Sequence, residues 1–237
     1  HAPAGQALAG VLVAGLVGVA CDSLLLGPLR RARAPELSTL IVTLGGVLLM
    51  NSLMQVAFGA EARRFPARLF SQDPFAVGPL LVTPLQLAIV VTVMVLVGLL
   101  VWFVERTRVG GAIRAVAERP DTAALMGVDV GRIVAGVSFL SAALAGTAGI
   151  LIGLNVNAVH PYMGESMMLK AFAVIIIGGL GDIRGALVAG LALGLIEVLV
   201  AAYLSSDLKD AAAFVALILA LWLRPHGLFA RPSGSRA

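Results

Sequence analysis

The side chains of this 237-residue chain that could do chemistry fall into two settings. A few polar groups lie inside long apolar stretches, and a polar segment runs from Gly110 to Arg132. Asn51 and Gln55 stand four apart, hence on one face of a helix, and Thr43 and Ser52 share that stretch. Glu197 and Lys170 lie in later apolar runs. Polar and charged groups at bilayer depth are expensive and must face a bundle interior, a water-filled cavity or an interface. The Asn51–Gln55 face therefore either lines a solute path or makes interhelical hydrogen bonds. Glu197 either belongs to a path or accepts a structural hydrogen bond. Lys170 opens its apolar run, so it either joins the path or snorkels to the outer interface.

No constellation for covalent or acid–base catalysis is present. A nucleotide-binding P-loop needs a Gly-Lys pair, and the two lysines follow Leu169 and Leu208. No His-Glu-x-x-His and no Gly-x-Ser-x-Gly pattern occurs. Cys21 is the single cysteine, and His1, His160 and His226 are far apart, so no metal site is expected. Such a chain moves something rather than converting it, with no catalytic residue and no cofactor of its own.

The polar segment has the marks of folded structure. Arg114 to Glu118 has helix-forming composition. Pro120 ends that run and suits the first position of a second short helix. Asp121 then sits in a first turn, where the helix dipole favours an acid, and Gly127 suits the C-terminal stop. A short capped helix between membrane spans suits a docking element; the plainer reading is a solvated connector. A second polar turn, Gly178 to Gly185, holds four glycines: Gly178, Gly179, Gly181 and Gly185. It reads as a hinge or second cytoplasmic contact, or simply as a tight helical hairpin capped by Asp182.

The elements that position these groups follow from hydropathy. The chain is 59% hydrophobic and 13% charged, with mean hydropathy +1.00. Soluble domains carry about 25% charged residues. The expected class is therefore all-α, a polytopic transmembrane helix bundle. Seven segments are predicted, at about 4–27, 36–59, 79–104, 132–156, 165–180, 184–204 and 209–224. The fifth is too short to cross a ~30 Å hydrocarbon core comfortably and is either a span or re-entrant. Small residues recur at close-packing spacing: Gly10, Ala14 and Gly18; Ala142, Gly146, Gly149 and Gly153; Ala186, Gly190 and Gly194.

Twelve of the seventeen Lys and Arg fall on one side of this topology: Arg30, Arg31, Arg33, Arg106, Arg108, Arg114, Arg119, Arg132, Arg184, Arg224, Arg231 and Arg236. The positive-inside rule makes that side, and the C-terminus, cytoplasmic. Arg63, Arg64 and Arg68 oppose the trend, in a loop that reads as an ordered external element. The net charge of +4 is spread between apolar spans and does not point to nucleic acid. The first apolar run lacks a basic leader, so it does not read as a signal peptide.

The segments AIRAVAERPDTAALMGVDVGRIVAGVSFLSAALAGTAGILIGL, HPYMG and LKAFAVIIIGGLGDIRGALVAGLALGLIE, from Ala112 to Glu197, resemble the integral-membrane permease subunits of bacterial ABC importers for branched-chain amino acids. LLLGPLRRAR and IVTLGGVLLMNSL upstream resemble the same family, so the likeness covers nearly the whole chain. It implies a single permease domain over residues 1–237, multi-pass in the bacterial cytoplasmic membrane, with a cytoplasmic coupling loop at 105–132. The family's N-terminal region, with its Asn-Phe-Ala-His-Gly stretch, is expected to be missing. The implied partners are a second permease subunit, two ATPase subunits carrying ATP and Mg, a periplasmic solute-binding protein and the lipid bilayer. Asp121, Thr122, Ala123 and Gly127 match the family's Glu-Ala-Ala…Gly coupling motif in degenerate form, with Arg114 and Glu118 beside it. The implied solute is a branched-chain amino acid or a related amino acid or amide. An ion-coupled secondary carrier or channel is the competing reading, motivated by Glu197, Lys170 and the short fifth segment.

Overall fold

A computed structural model describes residues 3–32, 35–59, 61, 75–77, 80–179, 181–205 and 208–223. Arg33, the Arg63, Arg64 and Arg68 loop, and the tail arginines Arg224, Arg231 and Arg236 lie outside the described residues. The chain divides into two units, His1–Tyr162 and Met163–Ala237.

In the first unit, α1 (Pro3–Cys21) continues through a π-helical stretch, Asp22–Leu26, into α2 (Gly27–Arg31). Arg30 was expected in a loop. It stands instead in the last helical turn and reaches back to pair with Asp22. An acid inside an apolar span must find such a partner. Next come α3 (Glu36–Phe58) and a short antiparallel hairpin of β1 (Phe75–Val77) and β2 (Leu80–Val82), with Phe75 opposite Val82. The third segment was expected to begin near residue 79, but strand occupies residues 80–82. Helix α4 (Pro84–Arg106) starts later because Thr83 and Gln86 form a reciprocal capping box, with Pro84 at the first helical position.

Beyond α4 lie α5 (Arg108–Glu118), α6 (Pro120–Leu125) and α7 (Val130–Val156). The predicted small-residue spacing is used where α1 packs on α7. A Cβ on Gly18 would overlap that of Ala142, one on Gly146 would lie 2.5 Å from Ala14, and one on Gly10 would meet Ile150 at 3.4 Å. Gly149, from the same series, faces open space. Helices in lipid gain little from apolar burial between them, so close backbone approach supplies the association.

In the second unit, α8 (Met163–Gly178), α9 (Ile183–Tyr203) and α10 (Lys209–Leu223) pack around Ala173, Leu193 and Ala213, with Val174, Ala216 and Leu217 against them. Gly190 approaches Val174, while Gly194 meets nothing.

The architecture is an all-α membrane bundle with, among the described residues, one small hairpin. Among the described residues five helices are long and apolar enough to cross a membrane: Gly5–Arg30, Leu37–Phe58, Pro84–Arg106, Val130–Val156 and Ile183–Tyr203. Each of the seven expected segments holds a helix among the described residues, but only five are of spanning length, and α8 and α10 have 16 and 15 residues. At 1.5 Å per residue they reach only ~24 and ~22 Å. Large apolar side chains such as Leu24, Val56 and Trp222 are mostly exposed. Such surface suits lipid and not water.

Candidate functional site

The first candidate element is the helical segment between α4 and α7. Thr107 closes α4 and opens α5 with one side chain. Its hydroxyl donates to the Phe103 carbonyl at 2.6 Å and accepts from the Gly110 amide at 3.0 Å. Gly110 is buried against the end of α4, and a Cβ there would lie 2.5 Å from the Phe103 carbonyl oxygen and 2.7 Å from Val104 C. Arg114 donates to the Val104 carbonyl, one of the orphan acceptors at the C-terminus of α4. Helix α5 is amphipathic: Val109, Ile113 and Val116 recur at i, i+4 and i+7, while Arg108, Arg114 and Glu118 are exposed. Phe103, Val109, Ile113, Ile133, Val137 and Leu140 line an apolar cleft of about 230 Å³ between α4, α5 and α7.

Arg119, in extended conformation, separates α5 from α6. As expected, Pro120 takes the first helical position and Asp121 the first turn. Gly127 has φ +84, the left-handed stop, and Val128 N bonds back to the Ala123 carbonyl at 3.1 Å. Ala123 is 4% exposed and seats the helix, whereas Asp121, Thr122 and Ala124 are exposed. Leu125 and Met126 are 88% and 81% exposed, at the tip of a polar segment. Asp129 caps α7 through the Arg132 amide and pairs with the Arg132 side chain at 3.0 Å. That pair is solvent-exposed and worth little. Of the six residues predicted here, Asp121, Thr122 and Ala123 stand in α6 and Gly127 turns the chain just beyond it. Glu118 is exposed on α5 with no ion pair among the described residues, and Arg114 is used within the chain.

The second candidate lies in the α8–α10 unit. Lys170 was expected at the opening of its segment, either joining a solute path or snorkelling outward. It sits instead midway along α8, because the helix begins at Met163, and its Nζ lies 3.0 and 3.1 Å from the two carboxylate oxygens of Glu197 on α9. Both side chains are 20% exposed. The hydrogen bond is made to Oε2, while the buried Oε1 has only the ionic contact. Beside the pair, Ser166, Leu169, Lys170, Ala173, Ala213 and Phe214 line a cleft of about 160 Å³. The pairing joins two residues that sequence treated separately. The signal was their position on two helices joined by a tight turn.

That turn is a close hairpin. Gly179 and Gly181 have φ +99 and +90. Gly178 and Gly185 serve packing: a Cβ on Gly178 would lie 2.6 Å from the Ala186 nitrogen and from Gly185 C. Asp182 caps α9 by accepting from the Arg184 and Gly185 amides. The side chains of Asn51 and Gln55, on one half-exposed face of α3, make no hydrogen bond among the described residues.

Five membrane-length helices among the described residues, with large apolar side chains exposed, define a multi-pass membrane protein. Residues 2–221 match the family model for the permease component of branched-chain amino acid transport systems. The chain belongs to this permease family. It is 32% identical over 230 residues to the high-affinity branched-chain amino acid transport system permease protein LivH of Salmonella typhimurium, covering 94% of this chain and 72% of that one. It is 31% identical over 229 residues to LivH of Escherichia coli K12, with the same coverage. Against the permease protein BraD of Pseudomonas aeruginosa identity is 31% over 228 residues, covering 94% and 73%. No solved structure matches significantly.

Proposed function

We propose that this chain is one of two permease subunits of an ABC importer, forming part of the path for branched-chain amino acids or related amino acids and amides. Its partners would be a second permease, two ATPase subunits that hold ATP and Mg, and a periplasmic binding protein. The C-terminus and the α5–α6 segment would face the cytoplasm. The observation that carries this reading is the family match across nearly the whole chain, combined with the exposed tip of α6.

On this reading α6 docks the ATPase. Leu125 and Met126 offer apolar contact, and Asp121 and Thr122 offer polar contact. Ala123 holds the helix on its support, and Gly127 turns the chain back towards α7. Movement imposed on α6 passes through Arg119 to α5. From there Thr107, Gly110 and Arg114 tie it to the end of α4. ATP-driven motion at the dock thus becomes motion of a spanning helix, with no nucleotide chemistry in this chain. Cross-linking tests the dock. In a Cys21→Ser background, Met126→Cys should form a disulfide with a cysteine placed in the docking groove of the co-purified ATPase, and Val91→Cys, on the apolar face of α4, should not. Equal cross-linking at the two positions would refute the assignment.

A further inference from the structure

We propose that the Lys170–Glu197 pair and the cleft beside it form a recognition site for a zwitterionic aliphatic amino acid. Lys170 takes the α-carboxylate and Glu197 the α-ammonium. The inference rests on the permease reading and assigns it a site.

Lys170 is eight residues before the end of α8 and Glu197 fourteen beyond the start of α9. At ~1.5 Å per residue they stand ~12 and ~21 Å from the α8–α9 turn. With that turn at one interface, the pair falls in the middle of a ~30 Å hydrocarbon core. Ionisable groups at that depth mark solute paths more often than structure. As a structural device the pair is a weak one, since apolar residues of similar volume commonly replace a buried ion pair without loss of stability.

A zwitterion carries the two charges that Lys170 and Glu197 complement. Its arrival exchanges one salt bridge for two and leaves the site neutral throughout, so no bare charge is exposed to lipid. Glu197 lies behind Lys170 and not on the cleft wall; its buried Oε1 is 3.0 Å from the Lys170 Nζ, and the incoming ammonium takes the place that the lysine holds. Ser166, one turn before Lys170 on the same cleft wall, donates its hydroxyl to the Met163 carbonyl at 3.2 Å and would have to turn from it to reach the carboxylate. The remaining wall is apolar: Leu169, Ala173, Ala213 and Phe214. That wall suits a branched aliphatic side chain and offers nothing to a sugar.

The test uses the complete importer in proteoliposomes, with ATP and its solute-binding protein. The double variant Lys170→Met/Glu197→Met removes both charges at similar volume. It should assemble and melt like the unmodified complex, yet take up leucine at least ~100-fold more slowly, since sites built to pair polar groups discriminate strongly. Uptake within about threefold of the unmodified complex would overturn the inference. If the double variant does not assemble, Phe214→Ala decides. Phe214 is half-exposed, so its truncation spares the core. It should slow leucine uptake ~10-fold, the effect of losing part of an apolar pocket, and Phe214→Leu should recover most of it; unchanged uptake would overturn the inference. Failure of the unmodified complex to transport any branched-chain amino acid would instead refute the permease reading itself.

Discussion

Gly110 and Gly111 are neighbours in one helix and should respond oppositely to the same substitution. A Cβ at Gly111 meets nothing, whereas one at Gly110 enters the backbone at the end of α4, 2.5 Å from the Phe103 oxygen. Carbon–oxygen contacts settle near ~3.3–3.6 Å, so Gly110→Ala must push α5 away by about 1 Å. The shift strains the Thr107–Gly110 bond and the Arg114–Val104 bond together. Overpacking of this kind costs ~1–3 kcal/mol, offset in part by the ~1 kcal/mol gained by alanine over glycine in a helix. The net loss is ~0–2 kcal/mol, small enough for the protein to persist in the membrane. The functional loss should be larger, because ~1 Å errors between elements that must meet can cost ~100-fold. ATP-driven leucine uptake by the reconstituted importer should fall ~10–100-fold in Gly110→Ala. Gly111→Ala should transport normally and melt slightly higher. If the two variants transport equally well, α5 does not relay motion from α6 to α4.

Three further predictions concern the supports of the two sites. Thr107→Val removes the hydroxyl shared by α4 and α5 and should cost ~1 kcal/mol, the usual value of an N-cap; Thr107→Ser should restore it, read by thermal melting in detergent. Lys170→Met alone leaves the Glu197 carboxylate half-buried without its cation and should destabilise the chain by ~3–5 kcal/mol. Adding Glu197→Met should recover most of that, and a double variant no more stable than the single one would contradict the pairing. Gly178→Val forces a side chain into the Gly185–Ala186 backbone and should cost ~1–3 kcal/mol, whereas Gly45→Ala, which meets nothing, should leave the melting temperature unchanged or higher.

Much of this was legible from residue type and spacing, because local rules govern it. Pro120, Asp121 and Gly127 announce α6 by the requirements of a helix start and stop, and Asp182 announces α9 in the same way. Hydropathy gave the helical segments, and small residues gave the α1–α7 interface. Thr83 and Gln86 carried a capping-box signal that would have moved the start of α4 to Pro84. Asp22 carried another: an acid in an apolar run needs a cation, and Arg30 was within reach along the same helix. The Lys170–Glu197 pair was less accessible. It depends on how far two helices slide past each other beyond a tight turn, and on a lysine stem long enough to bridge the offset. The role of Arg114 was hidden for a similar reason. A positive charge in a polar loop looks like surface, and only the α4–α5 corner turns it onto the Val104 carbonyl.

The most direct test of the central claim is leucine uptake into proteoliposomes holding this chain with its partner permease, its ATPase subunits and its solute-binding protein. Uptake should require ATP, stop when the ATPase is left out, and be lost in Gly127→Arg while the permease remains in the membrane. Uptake by this polypeptide without any ATPase, driven by a proton or sodium gradient, would contradict that claim.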